Sequence, residues 1–269
     1  MLFTIEGSSY SYERIGQGDP VLLLHGFTGS KENWNSLGEA LSENYQVIRI
    51  DLPGHGKTKS EAVSMEQCCH HLKEFLKYIK VEEAHVIGYS MGGRLALSFA
   101  MTFPEFVKSL VLESSSPGLQ SAEERKQRQD RDEKLAQRIL NEGVESFVQF
   151  WENIPLFDTQ KSLPSAVRQE IQQERLSQQA QGLADSLRFM GTGSQTSWWE
   201  DLKQVKIPSL LLVGELDPKF VKIGQEMNEN MSQSEIIIFK GVGHSIHVEA
   251  KDQFNEKVKH FLNNIKEDL

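Results

Sequence analysis

The sequence predicts an α/β fold: a mostly parallel, doubly wound sheet with a helical insertion that caps it. Three observations carry this. Short apolar runs recur, each bounded by glycine or proline. Helical patterns lie between most of them. The alternation stops over one polar stretch without a strand-like run, then resumes.

The first residues, FTIEGSSYSYERIG, read as an antiparallel hairpin added at one sheet edge. VLLLHG (Val21 to Gly26), QVIRIDLPG (Gln46 to Gly54), AHVIGYS (Ala84 to Ser90) and VKSLVLESS (Val107 to Ser115) follow. They are continuous rather than alternating, as strands buried on both faces are. MEQCCHHLKEFLKYI (Met65 to Ile79) and GGRLALSFAMTF (Gly92 to Phe103) read as intervening helices. From Pro117 to about Asp201 the chain is rich in Gln, Glu and Arg. LAQRILNEGVESFVQFW and SAVRQEIQQERLSQQ read as helices there, and Ser121 to Lys134 as a solvated helix face. SLLLVGELD (Ser209 to Asp217) and EIIIFKGVGH (Glu235 to His244) resume the sheet. DQFNEKVKHFLNNI is a final amphipathic helix. The expected division is a core of 1–117 and 202–269 with a cap of 118–201.

Composition narrows the partners. A net charge of −9 on 269 residues disfavours nucleic acid and anionic membrane. It also repels a small anion unless the site carries its own cations. No basic start followed by an apolar run marks a signal peptide, and no apolar run approaches the roughly 18 residues of a membrane span. Cys68 and Cys69 are adjacent and give no disulfide framework. A cytoplasmic monomer or weak oligomer is expected. Cys68-Cys69-His70-His71 holds metal-ligand residue types, but on a helix these point about 100° apart and do not converge. PGHG (Pro53 to Gly56) lacks the spacing and lysine-serine end of a phosphate loop.

Gly88-Tyr89-Ser90-Met91-Gly92 fits G-x-S-x-G, following a strand and opening a helix. Glycine at both flanks removes clashes at a sharp turn, so the serine oxygen projects above the strand ends. A serine nucleophile or base needs a histidine and an orienting acid, in the chain order Ser, Asp or Glu, His. Asp217 lies just beyond a strand end. Glu215 is its rival, and position past the strand favours Asp217. His244 follows GVG after the last strand, with His247 as its rival. The N–H of Met91 and the N–H of Phe27, in HGFTGS, are the candidate donors to developing negative charge. Arg94 stands four residues after Ser90 and can reach back over it. A cation there opposes the helix dipole. A bound anion would offset this, as would pairing with an acidic neighbour.

LHGFTGS, IDLPGHG, GYSMGGR, SSSPGLQ, GELDPKF and GVGHSIHVE together resemble one branch of the α/β-hydrolase superfamily. They are similar to the menaquinone-pathway 2-succinyl-6-hydroxy-2,4-cyclohexadiene-1-carboxylate synthases, over nearly the whole chain. The more specific marks are GYSMGGR with SSSPGLQSAEERKQR, the tryptophan of FWENIP and the QQERLSQ segment. The resemblance implies a lyase without metal or organic cofactor, acting on a small anionic metabolite. It expels pyruvate, with the serine oxygen as base. The resemblance also implies substrate contacts from Arg94, Arg128 and Arg175, with Tyr89, Trp151 and Phe157 as site aromatics. In the first cap segment, Arg125 and Arg131 are alternatives to Arg128.

Overall fold

The computed structural model describes residues 1–267. The first hairpin pairs β1 (Leu2–Ile5) with β2 (Ser8–Ile15). Its turn, Glu6-Gly7, has positive φ at both residues, which matches the twist of the flanking strands. β3 (Asp19–Leu24), α1 (Asn35–Leu41), β4 (Tyr45–Ile50), α2 (Met65–Tyr78), β5 (Ala84–Tyr89), α3 (Met91–Thr102) and β6 (Val107–Glu113) follow. Next comes a helical segment of α4 (Ala122–Trp151), α5 (Ser165–Leu176) and α6 (Ala180–Phe189). The chain then returns through β7 (Ser209–Gly214), α7 (Pro218–Asn230), β8 (Ser234–Phe239), α8 (Ile246–Glu249) and α9 (Lys251–Glu267). Among the described residues, no helix is long and apolar enough to cross a membrane.

The eight strands make one sheet in the order β1-β2-β4-β3-β5-β6-β7-β8. β1 and β2 are antiparallel to their neighbours, and all other pairs are parallel. From β3 the chain runs to β4 on one side, then crosses to β5 on the other. This switch opens a crevice beyond the carboxyl ends of β3 and β5, where such sheets bind ligands. Val21 to Leu24 are fully buried because both faces are covered. Leu22 and Leu24 pack with Leu72 of α2 and Leu95 of α3. Val21 and Leu23 pack with Leu37 of α1 and Phe254 of α9. β8 departs from this pattern. It is the edge strand, so most of it is only partly buried and Ile238 is exposed.

The segment between β6 and β7 is helical but differs in detail from the sequence reading. α4 opens at Ser121, whose side chain and that of Glu124 form a reciprocal capping box. It bends at Gly143, which has φ 83° and ψ 167°, so the run through LNEGVES is not one continuous helix. α6 was not anticipated. Its Leu183, Ala184 and Leu187 pack on Ala136, Ile139 and Phe147 of α4, which gives this segment its own small core. The run from Ser121 to Lys134 is solvated on one side only, since Asp132 is buried.

Asp51 ties the loops after β3 and β4 together. It is fully buried and accepts from Lys31 N–H at 2.8 Å, Lys31 Nζ at 3.0 Å and Lys57 N–H at 3.0 Å. Burial alone would raise its pKa. The backbone donors and the Lys31 ammonium outweigh burial and hold it below the usual carboxylate value. The folded-state pKa is depressed, so this stabilisation is present above the unfolded pKa near 4 and is lost as pH falls below it. Asp51→Asn leaves the Lys31 ammonium only the half-exposed Glu32, 3.4 Å away, and should cost about 3 kcal/mol, the low end for breaking a buried pair. Urea denaturation at pH 7 checks this. The gap between variant and parent should narrow when the measurement is repeated at acid pH.

Candidate active site

The turn from β5 into α3 places Ser90. Its backbone has φ 49° and ψ −104°, a region that side-chain-bearing residues avoid. Two close approaches force the turn. A β-carbon at Gly88 would stand 2.3 Å from the Gly92 carbonyl oxygen, and one at Gly92 would stand 2.1 Å from the Leu24 carbonyl oxygen. Ser90 N–H donates to the Glu113 carbonyl at 2.8 Å, which anchors the turn to β6.

His244 Nδ1–H donates to Asp217 Oδ2 at 2.6 Å, which leaves Nε2 as the acceptor for the Ser90 hydroxyl at 3.2 Å. Asp217 is also the N-cap of α7, where its Oδ1 accepts from Phe220 N–H at 3.3 Å. The rival residues lie elsewhere. Glu215 accepts from Gly241 N–H at 2.9 Å on the surface. His247 is held by Glu113, with its Nδ1 2.9 Å from both carboxylate oxygens.

Met91 is the first residue of α3, so its N–H is one that a helix leaves without an internal partner. Phe27 lies in the loop after β3 and its ring lines the same cavity as Ser90. Two buried histidines hold that loop. His25 Nε2 accepts from Leu52 N–H at 2.9 Å, and its Nδ1 donates to the Gly26 carbonyl at 2.8 Å. His55 Nε2 accepts from Thr28 N–H at 3.2 Å. Burial, then the neighbouring His25, pulls the His55 pKa down to about 3, so it stays a neutral acceptor. His55 belongs to PGHG, which the sequence reading set aside. No spacing rule links a histidine after one strand to an amide after another.

A cavity of about 600 Å³ opens over Ser90 and His244. Four cations line it: Arg94, Arg128, Arg131 and Lys219, against Asp132 as the single carboxylate. Arg94 is buried and pairs with no carboxylate among the described residues. Its Nη1 donates to the Met190 carbonyl at 2.9 Å and to Gln195 Oε1, both neutral. Burial, then the Arg128 charge, lowers its pKa to about 9, still charged near neutrality. Arg128 Nε donates to both Asp132 oxygens, at 2.8 and 2.9 Å. Arg125 turns away and caps the Leu119 and Gln120 carbonyls at 3.1 and 3.0 Å.

Tyr89, Trp151 and Phe157 line this cavity, but Arg175 does not. Arg175 stacks on Phe157 at 4.6 Å and lines a second cavity of about 310 Å³ with Glu152 and Arg168. The structure therefore places Arg175 in a cavity beside the one over Ser90. Arg175 donates to Gln160 Oε1 at 3.2 Å, and Gln160 Nε2 donates to Ser245 Oγ at 3.0 Å. Ser245 Oγ in turn bonds the Tyr89 hydroxyl at 2.6 Å. Helical periodicity put Arg175 on a helix but could not say which wall that helix faces.

Residues 19–251 match the family model described as the alpha/beta hydrolase fold. A Bacillus subtilis protein bearing the name 2-succinyl-6-hydroxy-2,4-cyclohexadiene-1-carboxylate synthase is 45% identical over 92% of this chain and 91% of its own length. The synthase so named from Klebsiella pneumoniae is 30% identical over 87% of this chain and 91% of its own. The structure of MenH from S. aureus superposes with a TM-score of 0.92 at 35% identity, covering 96% of this chain and 98% of that one. A thermophilic esterase from Thermogutta terrifontis, solved with malate bound, gives a TM-score of 0.85 at 25% identity, covering 96% and 94%. With an eight-stranded, mostly parallel sheet and these relatives across nearly its whole length, the chain belongs to the α/β-hydrolase family and, within it, to the 2-succinyl-6-hydroxy-2,4-cyclohexadiene-1-carboxylate synthases.

Proposed function

We propose that this protein converts 2-succinyl-5-enolpyruvyl-6-hydroxy-3-cyclohexene-1-carboxylate to 2-succinyl-6-hydroxy-2,4-cyclohexadiene-1-carboxylate and pyruvate, as a step of menaquinone biosynthesis. One observation carries the reading: the Asp217–His244–Ser90 chain of hydrogen bonds opens into a cavity with four cations and one carboxylate. A tricarboxylate substrate needs such an excess of positive charge. A simple neutral ester does not.

In this reading Asp217 orients His244, and His244 Nε2 takes the hydroxyl proton of Ser90. The Ser90 oxygen then removes the proton at ring carbon 2, next to the succinyl ketone. The released pair forms the bond between carbons 2 and 3, and the ring double bond shifts to carbons 4 and 5. The bond from carbon 5 to the enolpyruvyl oxygen breaks, and its pair leaves with the pyruvate enolate. The proton on His244 returns to that enolate carbon to give pyruvate. The N–H groups of Phe27 and Met91 face the charge that builds on the ketone oxygen. Arg94 and Arg128 hold carboxylates, Arg94 through its Nε and Nη2 hydrogens. Tyr89, Trp151 and Phe157 wall the ring. Arg175 acts at one remove, through Gln160 and Ser245 on Tyr89. A serine hydrolase for a small carboxylated ester is the second reading, favoured by the malate-bound esterase relative.

Ser90→Ala should lower pyruvate release from the enolpyruvyl substrate by at least about a thousandfold. Steady-state pyruvate assays check it, and undiminished release would contradict the mechanism. Arg94→Ala should raise KM by about 10- to 100-fold, the loss of charge-assisted bonds to a carboxylate. Turnover of a small neutral ester should survive that change. Equal loss of both activities would make Arg94 structural.

A further inference from the structure

Sequence reading found one cation opposing a helix dipole. The structure contains a second. Lys219 is the second residue of α7, whose N-cap is Asp217 and whose first turn opens toward the cavity. A cation at that end of a helix is disfavoured. Lys219 also makes no ion pair with a carboxylate among the described residues. Its Nζ lies 5.4 Å from the Phe220 ring centre, and that ring lies 4.7 Å from the His244 ring. The lysine is thus open to solvent on one side and lines the wall beside the reacting histidine on the other. Arg94 lines the same cavity, tethered to Met190 and Gln195.

The substrate of the proposed reaction carries three carboxylates, on the ring, the succinyl chain and the enolpyruvyl ether. Arg175 is withdrawn behind Phe157, and Arg128 is partly neutralised by Asp132. The remaining cavity cations are Arg131 and Lys219, and of these Lys219 is the one that neighbours His244, through the Phe220 ring. We infer that Lys219 is the specificity residue for the leaving group: its ammonium holds the enolpyruvyl carboxylate beside His244 and releases it as pyruvate. This inference rests on the proposed reaction. The position of Lys219, outside any ion pair among the described residues and on the same helix turn that orients Asp217, is what points to it.

The surroundings also give the site a pH signature. Burial, then the Arg128 guanidinium, holds the Lys219 pKa below the ordinary lysine value, against the opposing pull of Asp217. The ammonium is therefore lost as pH rises through a value below the usual 10.4. Arginine at this position would not titrate in that range.

Lys219→Met and Lys219→Arg test the inference. kcat/KM for pyruvate release should fall about tenfold in Lys219→Met, the size of one charge-assisted bond. It should stay within about threefold in Lys219→Arg, on the same scale. Inhibition by added pyruvate should weaken in Lys219→Met, while inhibition by L-malate stays as in the parent. The parent's kcat/KM should decline at alkaline pH through both Arg94 and Lys219, and only the Lys219 contribution should be lost in Lys219→Arg. Parental kcat/KM in Lys219→Met overturns the inference and leaves the reaction standing. So does equal weakening of pyruvate and malate inhibition, which would make Lys219 a general rim charge. A parent protein that releases no pyruvate overturns the reaction itself. Calorimetric titration with pyruvate then reads Lys219 separately, and equal binding by parent and Lys219→Met overturns the inference.

Discussion

The site depends on one close contact. The first turn of α3 passes so near the end of β3 that a side chain at Gly92 would enter the Leu24 carbonyl. That proximity holds Ser90 at positive φ and lifts its oxygen above the sheet. It also brings the Met91 N–H and the loop bearing Phe27 to the same side. The topological switch between β3 and β5 makes the approach possible, because the two strands are neighbours in the sheet but not in the chain. His244 and Asp217 arrive from beyond β8 and β7 and complete a hydrogen-bonded line to the serine.

The cap supplies what the core lacks. In the proposed reaction the core moves a proton, but the net-negative chain would repel a polyanion. Arg128 and Arg131 of α4 reverse that locally, and Arg94 bonds to Met190 and Gln195 beyond α6. Glu174 of α5 bonds Ser30 at 2.6 Å and also Asn33, so the cap grips the loop that carries Phe27. The helical segment that carries the cations and the loop that carries Phe27 are thus physically linked.

Much of this was legible in the sequence. Strand ends are marked by glycine or proline, so Ser90, Asp217 and His244 could be placed at the tops of strands from one chain. Chain order narrowed the acids and histidines to those past the insertion, and position beyond the strand end then favoured Asp217 over Glu215. The hairpin edge was legible in the same way. The cap was not. Helical spacing identifies a helix but not the wall it faces; the resemblance alone pointed to Arg175, which in the structure lines a neighbouring cavity. Gly143 breaks a run whose apolar spacing continues across it. Lys219 was read only as a letter in GELDPKF. Its meaning comes from the cavity wall, since an exposed lysine after a proline is ordinary by itself.

The central claim is that Ser90 acts as a base, although its geometry would equally serve a nucleophile. Intact-protein mass measured during steady turnover of the enolpyruvyl substrate tests this directly. The account predicts pyruvate accumulating while the enzyme keeps its unmodified mass. A substrate-derived adduct on Ser90, forming and decaying at the rate of turnover, would contradict it.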